Sequence, residues 1–142
     1  GNDGPPCNNT LDAFTEAKQA SILQKADQLD PTVTPKESIL DMATVNGAKA
    51  AGFDTVGELK PGWKADIIGI STDNTQATPL NDILSYIVFA AHGENVEFTM
   101  VDGEVLMEDN TVTVVDAESI RQDARRAAES LDIKGTRSPT SS

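Results

Sequence analysis

Disulfides, membrane spans and basic surface are what this sequence has least of. A single cysteine, Cys7, cannot form an internal disulfide, and no signal-peptide pattern is visible. The longest strongly apolar run, residues 86–91, falls far short of the roughly 18 residues a membrane span needs. A cytoplasmic protein is the expectation. Only 11 basic residues stand against 23 acidic ones, for a net charge of −12. Like charges repel at long range, which argues against nucleic acid or an anionic membrane as partner. The acids are spread along the chain and read as a solvated surface; if they serve a high-salt interior, folding should depend on salt. One histidine, His92, is no metal motif by itself. No internal repeat is apparent.

The stretch around which the chain is organised is Gly1-Asn2-Asp3-Gly4-Pro5-Pro6-Cys7-Asn8-Asn9. A carboxylate between two glycines, followed by two prolines, suits a tight turn at a strand end that leaves one side chain facing a cleft. Asp-Gly pairs also mark ordinary turns, so the motif alone does not separate the two readings. The start at Gly1, with the carboxylate near the chain end, points to a piece of something larger.

Asn9 or Thr10 can cap a helix with Leu11, Phe14, Ala17, Ile22, Leu23 and Ala26 on its apolar side, packed as core and ending near Leu29 before Asp30-Pro31. Thr34-Pro35-Lys36-Glu37 has the form of a capping box with proline at the first helical position. Thr44 can cap a second short helix closed by Gly52. A turn at Pro61-Gly62 then leads into a buried strand through Ile67, Ile68 and Ile70. Asn81 can cap a helix with Ile83, Leu84, Ile87, Val88 and Ala91 inward, ended by Gly93. From Val96 three short strands are joined by hairpin turns at Asp102-Gly103 and Asp109-Asn110. Asp116 caps a last helix carrying Ile120, Ala124, Ala127 and Leu131, and residues 134–142 read as disordered.

Three groups of residues carry a resemblance. They are Gly1-Asn2-Asp3-Gly4 with Cys7-Asn8-Asn9 and Leu11-Asp12; Met42-Ala43-Thr44 and Asn46-Gly47-Ala48 with Gly57-Glu58-Leu59-Lys60-Pro61-Gly62 and Ala65-Asp66-Ile67; and Ala91-His92-Gly93 with Val101-Asp102-Gly103-Glu104-Val105-Leu106. In order and spacing they resemble the C-terminal third of a metal-dependent amidohydrolase, over about residues 1–131. The nearest branch holds methylthioadenosine and S-adenosylhomocysteine deaminases and triazine chlorohydrolases. That family usually has Thr or Ala where Asn2 stands, and Ser or Cys at Cys7.

The resemblance implies an α/β fold: the last βα unit of a (β/α)₈ TIM-like barrel plus the C-terminal part of a β-sandwich. A whole barrel takes roughly 250 residues and cannot fit. Residues 1–52 would end the barrel, residues 53–115 would supply sandwich strands with a helix inserted at about 81–92, residues 116–132 a C-terminal helix and residues 133–142 a tail. Asp3 would be the carboxylate at the end of the eighth barrel strand. There it would ligate or closely approach a divalent metal, usually zinc, and handle the proton of the attacking water. The remaining metal ligands would lie upstream of this chain, since one histidine is too few.

Asn8 and Asn9 would either line the substrate pocket or cap the helix. His92 is structural in the family and away from the metal. Cys7 reads as a small packed side chain, Trp63 as cover for a sandwich edge, and Asp66 as a partner for nearby backbone. The function implied is deamination of an adenosine-like nucleoside or related N-heterocycle by metal-activated water, in an enzyme that forms a homo-oligomer. Removal of another leaving group, such as chloride from a triazine, is the alternative within the class. A stand-alone, non-catalytic β-rich interaction domain is the alternative outside it.

Overall fold

The computed structural model describes Gly4 and residues 9–131. Helix α1 spans Ala13–Gln28, α2 Lys36–Ala43 and α3 Val45–Ala50. Strand β1, Ile67–Ile70, follows a long connection; a 3₁₀ turn at Thr75–Ala77 and helix α4, Ile83–Phe89, separate it from β2, Val96–Val101. Strands β3, Glu104–Glu108, and β4, Thr111–Val112, complete one antiparallel sheet in the order β1-β2-β3-β4, and α5, Ala117–Ser130, closes the described chain. Mixed α/β content is as expected. Among the described residues there is a single four-stranded sheet and no strand before α1.

The hairpins form where local chemistry demands them. Asp102 and Gly103 lie at φ 51° and 85°, Asp109 and Asn110 at φ 47° and 60°. Positive φ at both central residues matches the right-handed twist of the flanking strands, and residues of this kind reach it at least cost. Val101 therefore pairs with Glu104, and Glu108 with Thr111. The first hairpin is anchored to the entry of β1. The Asp66 carboxylate accepts from the Asp102 N–H at 2.7 Å, and Lys64 pairs with Asp102 at 2.9 Å. Asp66 thus bonds backbone, as expected, although that backbone lies far away in sequence.

Helices α1 and α4 pack with α2, and the core collects where α1, α4 and β1 meet. Tyr86, Ala77 and Ala91 are buried together, with Phe14, Ile70, Ile87 and Ala90 packed around them. Tyr86 donates its hydroxyl to the Ser71 carbonyl at 2.7 Å and accepts from Asn74 Nδ2 at 2.9 Å. Asn74 in turn accepts from the Ala77 N–H at 2.9 Å, so one buried phenol organises the whole 71–77 connection.

Several boundaries differ from the sequence reading, each for an identifiable reason. Asp12, not Asn9 or Thr10, caps α1: its carboxylate accepts from the Phe14 N–H at 3.0 Å and from Thr15 Oγ1 at 2.8 Å. The other end of α1 is where the sequence placed it: Leu29 turns left-handed at φ 52°, just before Asp30-Pro31. No capping box opens α2. Pro35 is itself the cap, without a side-chain bond, and Thr34 precedes it at φ 53°. Thr44 stands at the start of α3, yet its hydroxyl donates backward to the Leu40 carbonyl at 2.7 Å. Asp82 replaces Asn81 as the cap of α4, whose last residue, Phe89, falls short of Gly93.

Burial corrects the sequence reading further. On α1 the fully buried side chain is Ser21, while Ile22 and Leu23 are 49% and 66% exposed. Strand β1 is half-covered, with Ile68 51% exposed, because a sheet with one packed face leaves alternate residues outside. On α4, Tyr86 and Val88 are buried while Ile83 faces outward. Ile120 on α5, and Leu131 just after it, stand exposed. None of the described helices is long and apolar enough to cross a membrane. The expected tail lies outside the described residues.

Candidate functional site

Asp3, Cys7 and Asn8 lie outside the described residues, so the residues that follow them define the structural side of the site. Asn9 is exposed and sits at φ 62°, a left-handed conformation that asparagine reaches more easily than other non-glycine residues. Of its two expected roles, capping falls to Asp12 instead.

Asp12, which the sequence reading quoted only within the Leu11-Asp12 pair, is the residue on which the contacts of this region meet. Beyond capping α1, its Oδ2 approaches His92 Nδ1 to 3.6 Å, an ion-pair distance slightly too long for a hydrogen bond. His92 sits just ahead of the 3₁₀ turn Gly93–Asn95 that launches β2, and its own N–H donates to Asn95 Oδ1 at 2.8 Å. Burial by itself would raise the Asp12 pKa. The Thr15 hydroxyl, the backbone N–H groups of Phe14 and Thr15 and the His92 ring outweigh it and hold the carboxyl below its ordinary range. An open cleft of about 500 Å³ lies here, lined by Leu11, Asp12, His92, Gly93 and Glu94. The signal for Asp12 was present in the sequence: an aspartate three residues ahead of Thr15, at the start of an apolar period.

Among the described residues, no three His, Cys, Asp or Glu side chains converge where a metal could sit. Asp12 and His92 bring two donors together, and the Asp12 carboxylate already serves Phe14 and Thr15. The described residues therefore do not make a zinc site by themselves, and among them His92 has no set of metal ligands around it. Two apolar cavities flank Ile39. One of about 330 Å³ lies between the helices and β1, lined by Phe14, Ile39, Leu40, Ile70 and Ile87 among others. The other, of about 610 Å³, opens between α1 and the α2–α3 pair.

Comparison with known proteins assigns this architecture. The amidohydrolase family model matches residues 1–106. The chain is 45% identical over 131 residues to a 5'-deoxyadenosine deaminase of Methanosarcina mazei, covering 92% of this chain and 30% of that protein. It is 40% identical over 131 residues to a 5-methylthioadenosine/S-adenosylhomocysteine deaminase of Haloarcula marismortui, with the same coverage of 92% and 30%. Among solved structures, an adenosine deaminase from Xanthomonas campestris with bound zinc superposes with a TM-score of 0.89 at 30% identity, over 92% of this chain and 30% of that one. The chain thus spans about 30% of the length of the curated relatives it matches. Its fold, mixed α/β with a small antiparallel sheet, and its residue pattern agree: the chain belongs to the amidohydrolase family.

Proposed function

We propose that this chain is the C-terminal portion of a metal-dependent hydrolase that removes the amino group from an adenosine-like nucleoside. The observation that carries the reading is the 45% identity to a 5'-deoxyadenosine deaminase, sustained over 131 residues. Residues 1–52 would then close a (β/α)₈ barrel, residues 53–115 would belong to a β-sandwich, and residues 116–132 would form a C-terminal helix. Such an enzyme would work in the cytoplasm as a homo-oligomer.

Asp3 is the residue assigned to chemistry. A zinc ion, held mainly by ligands upstream of this chain, would bring the pKa of water toward 7. The Asp3 carboxylate would take a proton from the attacking water and return it to the departing amine, which leaves as ammonia while oxygen takes its place on the ring carbon. Asn8 and Asn9 would stand beside the substrate.

The test is ammonia release by the complete protein containing this chain, with 5'-deoxyadenosine, methylthioadenosine and S-adenosylhomocysteine as substrates and a chlorotriazine in parallel. Turnover of a nucleoside supports the reading. Chloride release alone would move the enzyme to dechlorination, and inertness toward all four at full zinc loading would overturn the assignment.

A further inference from the structure

We propose that His92 is a positioning residue: through Asp12 it holds the chain where residues 1–9 pass into α1. Three observations meet at this joint. Asn9 stands in a left-handed conformation at φ 62°, which marks a turn of the chain just ahead of α1. Three residues on, Asp12 caps α1 with both carboxylate oxygens, Oδ1 toward the Phe14 N–H and Oδ2 toward Thr15 Oγ1. The same Oδ2 lies 3.6 Å from His92 Nδ1, a group 80 positions away on the turn that starts β2. That turn is itself fixed by the bond from the His92 N–H to Asn95, a buried side chain. The backbone around His92 is therefore held in place, and its ring gives the Asp12 carboxylate a contact from far along the chain.

The functional meaning of this joint rests on the deaminase reading above, in which Asp3 handles the proton. A cap alone sets the start of a helix relative to its own first turn. A cap that also meets a side chain from the far end of the fold sets the helix start relative to the sheet. Reacting groups tolerate little displacement: an error of about 1 Å can cost on the order of a hundredfold in rate. The contact that the structure shows for the ring is with Asp12, so its effect is carried through that carboxylate.

Asparagine places its amide nitrogen near where the Nδ1 atom of histidine lies, whereas leucine keeps bulk without a polar nitrogen facing Asp12. In the complete protein, His92→Leu is expected to speed amide exchange across residues 10–16. It should also lower kcat for 5'-deoxyadenosine roughly tenfold, with KM and zinc content unchanged. His92→Asn should restore both. Asp12→Asn keeps the cap while removing the charge, so His92→Leu added to it should cost much less than His92→Leu alone. Unchanged exchange in His92→Leu would overturn the proposal, as would faster exchange with kcat intact, or additive effects in the double variant. A complete protein without any turnover would sink the deaminase reading instead, and the exchange measurements would still decide whether His92 holds the joint.

Discussion

Replacing Tyr86 by phenylalanine removes one oxygen atom from the centre of the fold, and the structure sets what that should cost. Tyr86 is 4% exposed, and its hydroxyl donates to the Ser71 carbonyl at 2.7 Å while accepting from Asn74 Nδ2 at 2.9 Å. A typical internal hydrogen bond contributes about 0.5–1.5 kcal/mol net, and the larger penalties arise when a buried partner is left unpaired. Here neither partner is orphaned. The Ser71 carbonyl also accepts from Asn74 Nδ2 at 2.9 Å, and Asn74 Oδ1 keeps the Ala77 N–H at 2.9 Å. Tyr86→Phe should therefore destabilise by about 1 kcal/mol. Asn74→Ala, which severs the Ser71, Tyr86 and Ala77 contacts together, should cost about twice that or more. Because the two side chains share a bond, the double variant should cost less than the sum of the single ones. Urea unfolding of the 142-residue chain followed by circular dichroism, with Trp63 fluorescence as a second probe, measures all three. A loss above about 3 kcal/mol in Tyr86→Phe would refute the reasoning, since it would mean that the hydroxyl's partners have no alternative bonds.

Asp3→Asn in the complete enzyme should lower turnover by at least about 10²–10⁴-fold while most of the metal is retained, because asparagine cannot accept a proton; steady-state rates beside metal analysis check it. A hydrogen bond from Lys36, aided by Ser85, holds the Asp82 carboxyl at about 2, below its ordinary 3.8. A depressed folded-state pKa stabilises above the unfolded value, so this contribution should be present above about pH 4 and fade toward pH 2. The Tm of Asp82→Asn should accordingly converge on the wild-type Tm as pH falls across that window. Gly57 and Gly62 both have positive φ, at 94° and 84°, but a Cβ on Gly57 would lie 2.9 Å from Val45 Cα, whereas Gly62 faces open space. Gly62→Ala should cost about 1–2 kcal/mol from the left-handed backbone, and Gly57→Ala distinctly more, by the same urea titration. With Leu11, Ile22, Leu23 and Met42 each about half or more exposed, the chain should self-associate at high concentration in sedimentation experiments. Ile22→Lys with Leu23→Lys should reduce it.

The sequence by itself determined those features whose causes act within a few residues. Asp102-Gly103 and Asp109-Asn110 required tight hairpins because adjacent residues had to accept positive φ, and both turns formed there. Asp116 was the sole strong cap before α5, and its carboxylate takes the Glu118 and Ser119 N–H groups. Family membership was legible as well, because the order and spacing of small motifs survive even where each motif is loose. Tertiary structure decided whatever depended on a partner far along the chain. Asn9, Thr10 and Asp12 are all residues able to cap a helix; the spacing of Asp12 from Thr15 marks it as the cap, but its contact with His92 joins two distant parts of the chain and arises only in the fold. Periodicity marked an apolar stripe on α4, yet it could not say that Tyr86, with its phenol bound to Ser71 and Asn74, would face inward while Ile83 faced out. Residues 22 and 23 look like core in the sequence and stand exposed in the fold, because apolar character states what a side chain gains by burial, while burial itself needs a surface to cover it.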